Sequence, residues 1–497
     1  MKKNLLWMLA AILLICGSLF TSCTSNEDSP STHDITYDVD LKDPLTIEVA
    51  EEGEIDVTQE VILPEPVYYS VNGGEKQEVG IYDPDDPHAH PYTKIAVKVG
   101  DKVQFFSRNT TLSNDRDNNN GFNISFDSEC YVYGNVMSLI SPDGNWKDNK
   151  EIKEPYALEM LFSFSNIVTH PTRRLMLPAT KLSTGCYMGM FSESTISVAP
   201  ELPATQLAEE CYCRMFAYCD NLKKAPELSA TRLAKGCYYY MFWACRGLTE
   251  ASELPATQLA EDCYKYMFCW CESLTKAPEL PATQLAKDCY CYMFGACKSL
   301  TKAPELPATT LAEGCYQYMF DGCEQIAEAP ELPATTMAAN CYHGMFSETA
   351  LTTAPALPAT TLAESCYESM FAYCEALTEA PVLPVTQLEK RCYAYMFSHC
   401  SNLTGPIELP AEQLPEGCYV SMFSRCSKLS SVKCLAKTMT GTGKSALGSW
   451  LNYAGTDESV STRTLTHAPG TPWVNSDEYP MTQTDWFVPT GWTLVSL

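Results

Sequence analysis

The sequence predicts an α/β solenoid in which each coil of about 26 residues is a short strand plus a helix, set between an N-terminal β-sandwich and a small C-terminal cap. Three observations predict it. A Cys-Tyr pair recurs at Cys186, Cys211, Cys237, Cys263, Cys289, Cys315, Cys341, Cys366, Cys392 and Cys418, at spacings of 25 or 26 residues. Units this short cannot bury their own apolar faces and must stack. Within each unit, apolar residues fall on one helical stripe. Outside residues 171–433 the period is lost, and strand-like alternation precedes it.

The chain opens with a secretion signal over residues 1–22. Lys2 and Lys3 precede the apolar run from Leu5 to Cys16, which is too short for a spanning helix. Phe20-Thr21-Ser22-Cys23 resembles a bacterial lipobox, which implies lipid attachment at Cys23. An ordinary cleaved signal is the alternative. Thr24-Ser25-Asn26-Glu27-Asp28 resembles the surface-export signal of lipoproteins in Gram-negative anaerobes, so the expected location is the outer membrane, facing outward. Residues 23–42 read as a flexible tether.

Residues 43–135 read as the β-sandwich. The alternating segments around Leu45–Val49, Val67–Val71 and Ile95–Val99 are joined by turn signals such as Asn72-Gly73-Gly74. Residues 136–170 are expected to cap the first coil, and residues 434–497, with Trp450, Trp473, Trp486 and Trp492, the last.

Counting the Cys of each Cys-Tyr pair as position 0, Leu recurs at −4, Tyr at +1, Met at +4, Phe at +5 and Cys at +8. That pattern suits one face of a helix. Leu at +11, Ala at +14 and Leu at +17 suit an extended rung, kept short by the proline at +15, which lacks an amide donor. Strands stack ~4.8 Å apart and helices pack ~8–10 Å apart, so such an array bends with its strands inside.

The formal net charge is 34 − 61 = −27, which disfavours nucleic acid and anionic lipid as partners. The 25 cysteines of an exported chain would suggest disulfides. Yet Cys186 is followed at +8 by Ser194, and Cys341 by Thr349, so the two columns are not obligate pairs. Most cysteines therefore read as buried apolar residues. Cys213, Cys269 and Cys291 are off the pattern and could be exposed or paired.

No catalytic motif stands out, and the reading is of a protein without enzymatic activity, metal or cofactor. The Asp83–His90 stretch has metal-ligand residue types but reads as a solvated loop. Asp115, Asp117 and Asn119 lack the glutamate that closes a calcium loop. Gly443-Lys444-Ser445 lacks the first glycine of a phosphate loop, with Thr438 in its place.

Two surface rows are candidates for ligand binding. Glu227, Glu253, Glu279, Glu305 and Glu331 line up at +16, with Lys224, Lys276 and Lys302 at +13 to offset them. They read either as a solvated ladder or as a stripe for a cationic ligand. Tyr240, Tyr266, Tyr292 and Tyr318 line up at +3, joined by Trp243 and Trp270. They read either as packing between helices or as an aromatic patch for glycan or protein.

The units resemble the BspA-like leucine-rich repeats of bacterial surface proteins. The resemblance is carried by Leu306-Pro307-Ala308-Thr309, Cys315-Tyr316-Gln317-Tyr318-Met319-Phe320 and Leu274-Thr275-Lys276-Ala277-Pro278-Glu279-Leu280. Cys130 to Leu139 and Val488 to Thr493 resemble that family's flanking modules. The family implies a surface-exposed binding or adhesion role toward host protein or polysaccharide. A self-associating scaffold without a soluble ligand is the alternative.

Overall fold

The computed structural model describes residues 40–81, 93–113, 121–440, 446–476 and 486–497. Cys23, the 83–90 stretch, Asp115 to Asn119 and Gly443 to Ser445 lie outside the described residues. Those described all belong to one compact unit, Asp38–Leu497.

Alternation of apolar and polar residues builds two sheets at the N-terminal end. The first holds β1 (Thr46–Val49), β3 (Tyr68–Val71), β4 (Gln77–Glu78), β6 (Lys102–Phe106) and β8 (Cys130–Asn135). The second holds β2 (Gly53–Gln59), β5 (Thr93–Val97) and β7 (Phe122–Ser125). Phe105 of β6 meets Phe122 of β7 edge-on at 6.3 Å, joining the two layers in one core. β8 also pairs in parallel with β9 (Ile167–Val168) and β10 (Leu175–Met176), the start of the solenoid. That crossing needs Gly134. Its φ is +90°, and a Cβ there would come within 2.2 Å of the Pro44 carbonyl oxygen.

The repeats form a solenoid, but not with helices. Among the described residues there is no α-helix, and the one helical segment is a 3-10 turn at Val136–Leu139. The predicted helix is a chain of tight turns. In the coil of Cys263, the N–H groups of Cys263, Lys265, Met267, Cys269 and Cys271 each bond the carbonyl three residues back, at 3.0–3.3 Å. Those of Asp262, Tyr264, Tyr266, Phe268 and Trp270 bond carbonyls of the next coil, at 2.8–3.1 Å. Every donor and acceptor is used, alternately within the coil and between coils. The chain closes each turn by placing every fourth residue in the left-handed region: Asp262 (φ 55°), Tyr266 (57°) and Trp270 (64°).

A four-residue cycle sends positions 0, +1, +4, +5 and +8 inward. All are buried, and they stack coil over coil. The ten Tyr rings at +1, from Tyr187 to Tyr419, stand 5.8–6.2 Å apart and nearly parallel. The Phe rings at +5 do the same; Phe242–Phe268 is 5.4 Å. The thiols at +8 donate to the +5 carbonyl of the preceding coil, as Cys271 Sγ does to Phe242 O at 3.2 Å. All 23 cysteines among the described residues are buried and none forms a disulfide with another of them, Cys213, Cys269 and Cys291 included. Burial pushes the Cys219 and Cys289 thiols up to about 12.

Because the turn side is hydrogen-bonded from coil to coil, it has the spacing of strands, and the reason to bend around an inner strand face disappears. The short strand expected in each coil is not found in the interior coils either: no strand lies between Met176 and Ile407, where the prolines leave isolated bridges such as Gln258 to Gln284 and Gln284 to Thr310.

The flanking segments add coils rather than only covering them. Tyr156, Met160 and Phe164 repeat the left-handed positions, and Ala157, Leu158, Leu161 and Phe162 the buried ones. Their carbonyls are met by the β-domain: Leu112 N–H reaches Ala157 O at 3.0 Å and Ile124 N–H reaches Leu161 O at 2.9 Å. Asn123 Nδ2 covers Met160 O at 2.6 Å. At the other end, residues 446–454 form another turn segment, with Ser449 and Tyr453 left-handed. The extended side becomes a parallel sheet of β11 (Ile407–Leu409), β13 (Ser431–Cys434), β15 (Arg463–His467) and β18 (Trp492–Ser496). The segment expected to be a separate cap thus continues the coil. Trp450 carries on the Phe column at 6.4 Å from Phe423, and its Nε1 donates to Phe487 O at 3.0 Å.

Candidate functional site

The four-residue cycle divides the turn side in two. Positions 0, +1, +4, +5 and +8 are core, while −1, +2, +3, +6 and +7 make an outward face that varies from coil to coil. This is where the chain departs from its own repeat, and where side chains of different chemistry meet.

Tyr240, Tyr266, Tyr292 and Tyr318 form a face-to-face stack at 4.6, 4.8 and 4.6 Å. All four are half-buried and left-handed, with φ between 52° and 57°. Such backbone costs a non-glycine residue ~1–2 kcal/mol, partly offset by ~0.5–1.5 kcal/mol for each aromatic pair. Their ring faces cover one another, so the row offers edges and hydroxyls to solvent rather than flat platforms. Burial raises the phenols of Tyr266, Tyr292 and Tyr318, which keeps them protonated donors. Trp243 packs between Tyr218 (4.8 Å) and Tyr240 (5.0 Å). Trp270 is 44% exposed. The rings do pack on each other, but not between helices as one reading had it.

The stack ends where Gly344 replaces tyrosine at +3. A Cβ on Gly344 would lie 2.2 Å from the Tyr318 ring, so the ring leans into the space the glycine leaves. Tyr318 Oη meets His343 Nε2 at 2.9 Å. One coil further, the buried carboxylate of Glu368 takes two hydrogen bonds from Arg391, one from Nε at 3.0 Å. Burial lowers the His343 pKa, with Glu368 opposing and Arg391 reinforcing the shift. Burial also lifts Asp321 to about 6, with Glu348 adding to the shift and a Ser347 hydrogen bond opposing it. On the other flank, Lys265 lies between Asp262 (3.0 Å) and Asp288 (3.1 Å). Burial works against its charge, yet the two carboxylates hold it above the ordinary lysine range.

The sequence did not single out Lys265, Asp321, His343, Glu368, Arg391 or Arg214, whose guanidinium lies 5.2 Å from the Tyr240 ring centroid. Their signal was available: with position 0 at each Cys, they occupy −1, +2, +3 or +6, which a four-residue cycle turns outward.

The second predicted row stands apart, on the extended side. Glu227, Glu253, Glu279, Glu305 and Glu331 are exposed. Among the described residues no ion pair joins them to Lys224, Lys276 or Lys302; Lys224 pairs instead with Glu250 at 3.4 Å. The expected compensation is absent. Pairing occurs at −2, where signs alternate along the solenoid: Lys235–Glu261 at 3.1 Å, Lys287–Glu313 at 2.9 Å and Lys390–Glu364 at 3.6 Å. Each exposed pair contributes little. No group of three or more metal-ligating side chains occurs among the described residues.

Fold and face together define a class: a turn-based repeat solenoid with a nearly uniform interior and one chemically varied outward face. No protein-family model, curated protein or solved structure matches the chain.

Proposed function

We propose that the protein is a non-enzymatic binding module whose outward turn face contacts a host protein or polysaccharide. In this reading it is a BspA-like leucine-rich repeat lipoprotein, anchored through Cys23 at the outer membrane and exposed at the cell surface. One observation carries the binding role: four half-exposed tyrosines stack in succession at +3 of the outward face, where most other coils carry glycine, serine or arginine. Stacked rings with exposed hydroxyl edges suit hydrogen bonding to a partner along several coils.

The test is a glycan and matrix-protein array probed with wild-type chain and with Tyr266→Asn/Tyr292→Asn. Asparagine accepts left-handed backbone, so the variant should fold while its binding falls at least tenfold. Equal binding by both chains would reject the tyrosine row as the contact surface.

A self-associating scaffold is favoured by a different feature. β18 pairs only with β15 among the described residues and exposes Val495 (42%) on the last strand. Sedimentation of the full chain separates the two readings: concentration-dependent assembly without array binding supports the scaffold.

A further inference from the structure

We propose that a cavity in the N-terminal domain, independent of the solenoid face, binds a carboxylate-bearing sugar of the hexuronate class. The cavity, of about 630 Å³, lies between β3 and β6 on one side and the 138–146 segment on the other. That volume is within the range of small-molecule sites, roughly 300–1,000 Å³.

Its lining sets two unpaired cations among hydroxyls and aromatic rings. Lys76 and Arg108 both line it, and neither has a carboxylate within ion-pair reach among the described residues. Lys76 Nζ is instead held 3.8 Å above the Phe106 ring centroid. Trp146 Nε1 is buried at the wall with no hydrogen-bond partner. The hydroxyl of Ser138 accepts from Leu45 N–H at 3.0 Å and that of Ser141 from Asn149 Nδ2 at 3.0 Å. Neither donates to another described residue. Two cations and two serine hydroxyls therefore line one space in a chain of net charge −27, with the Trp146 indole N–H buried out of its reach.

An acceptor-rich anion answers that set, and the remaining wall narrows its kind. Tyr68, Phe106 and Trp146 supply aromatic surface for the C–H face of a sugar ring. Glu65 and Asp143 also line the cavity. They can accept sugar hydroxyls, and they repel a phosphate dianion about twice as strongly as a single carboxylate. A single carboxylate on a hydroxylated ring meets all three conditions.

The experiment is calorimetric titration of the full chain with D-glucuronate, D-glucose, acetate and inorganic phosphate. Glucuronate should bind, and the other three should bind at least tenfold more weakly. Lys76 and Arg108 are exposed, so Lys76→Met/Arg108→Gln should fold with an unchanged unfolding midpoint and lose at least tenfold in glucuronate affinity. Trp146→Leu, which removes the aromatic wall and keeps an apolar side chain, should lose three- to tenfold. No heat with glucuronate, or equal binding by the double variant, overturns the site. Phosphate or glucose binding as tightly as glucuronate overturns its ligand class. None of these outcomes depends on the tyrosine row.

Discussion

The two sides of each coil bury apolar residues in similar proportion and solve the backbone problem in opposite ways. On the turn side, alternate N–H groups reach the next coil, and the side chains beneath stack in continuous columns. On the extended side, prolines at +15 and +18 remove the donors a ladder would need, and mostly isolated bridges remain. Where the prolines give way, at Ser431–Cys434, a four-residue strand forms and pairs on both edges. The difference teaches that the period is enforced from the turn side, while the extended side follows.

Substitutions can break that comparison. Phe268→Ala, in the middle of a stacked column with neighbours at 5.4 and 5.8 Å, should have the largest effect. Chemical denaturation should show a loss of about 3–5 kcal/mol, and a loss below about 1 kcal/mol would deny the column its role.

Asp321→Asn should act more modestly and in the other direction. The native carboxyl titrates at about 6, above its ordinary 3.8. The folded state therefore holds the proton more tightly, and wild-type stability falls as pH rises from about 4 to about 6. The full penalty is present above that window and absent below it. The variant should be more stable by about 1–2 kcal/mol at pH 7.5, after allowance for partial exposure. Thermal unfolding should show the two chains converging below pH 4.

Pro278→Ala, on the extended side, should have the smallest effect, a loss of about 0.4–1 kcal/mol from a less restricted unfolded chain. A loss as large as that of Phe268→Ala would mean that both sides enforce the period equally.

Much of the fold was legible in the sequence. The spacing of the Cys-Tyr pairs located the coils, and the inward positions Cys263, Tyr264, Met267, Phe268 and Cys271 are all buried. Proline placement foretold how short the extended rungs would be. The helix was misread for a physical reason. Positions 0, +4 and +8 drift by only about 80° on an α-helix, inside its apolar stripe of about 100°. A four-residue turn cycle and a helix therefore share one apolar pattern over a segment this short. The discriminating residues were outside the stripe. Gly185, Gly236, Gly314 and Gly417 at −1, with Gly189 and Gly344 at +3, would weaken a helix but suit left-handed backbone. The outward face itself was legible, because 100° per residue also sends −1, +2, +3, +6 and +7 to the side away from the stripe. The tyrosine row was found because its residue type recurs; the Tyr318–His343 and Glu368–Arg391 contacts were not, because each occurs once.

On the turn side the bonding between coils runs one way. Each turn segment offers its N–H groups to the coil after it and its carbonyls to the coil before it, as Tyr264 and Cys289 do at 3.1 Å. Any interior unit therefore presents the same sockets and plugs as every other. A gene could gain or lose one repeat in frame, and the flanking units would mate without adjustment. The molecule's reach is then a heritable variable, adjustable in steps of one coil while the outward chemistry is edited separately.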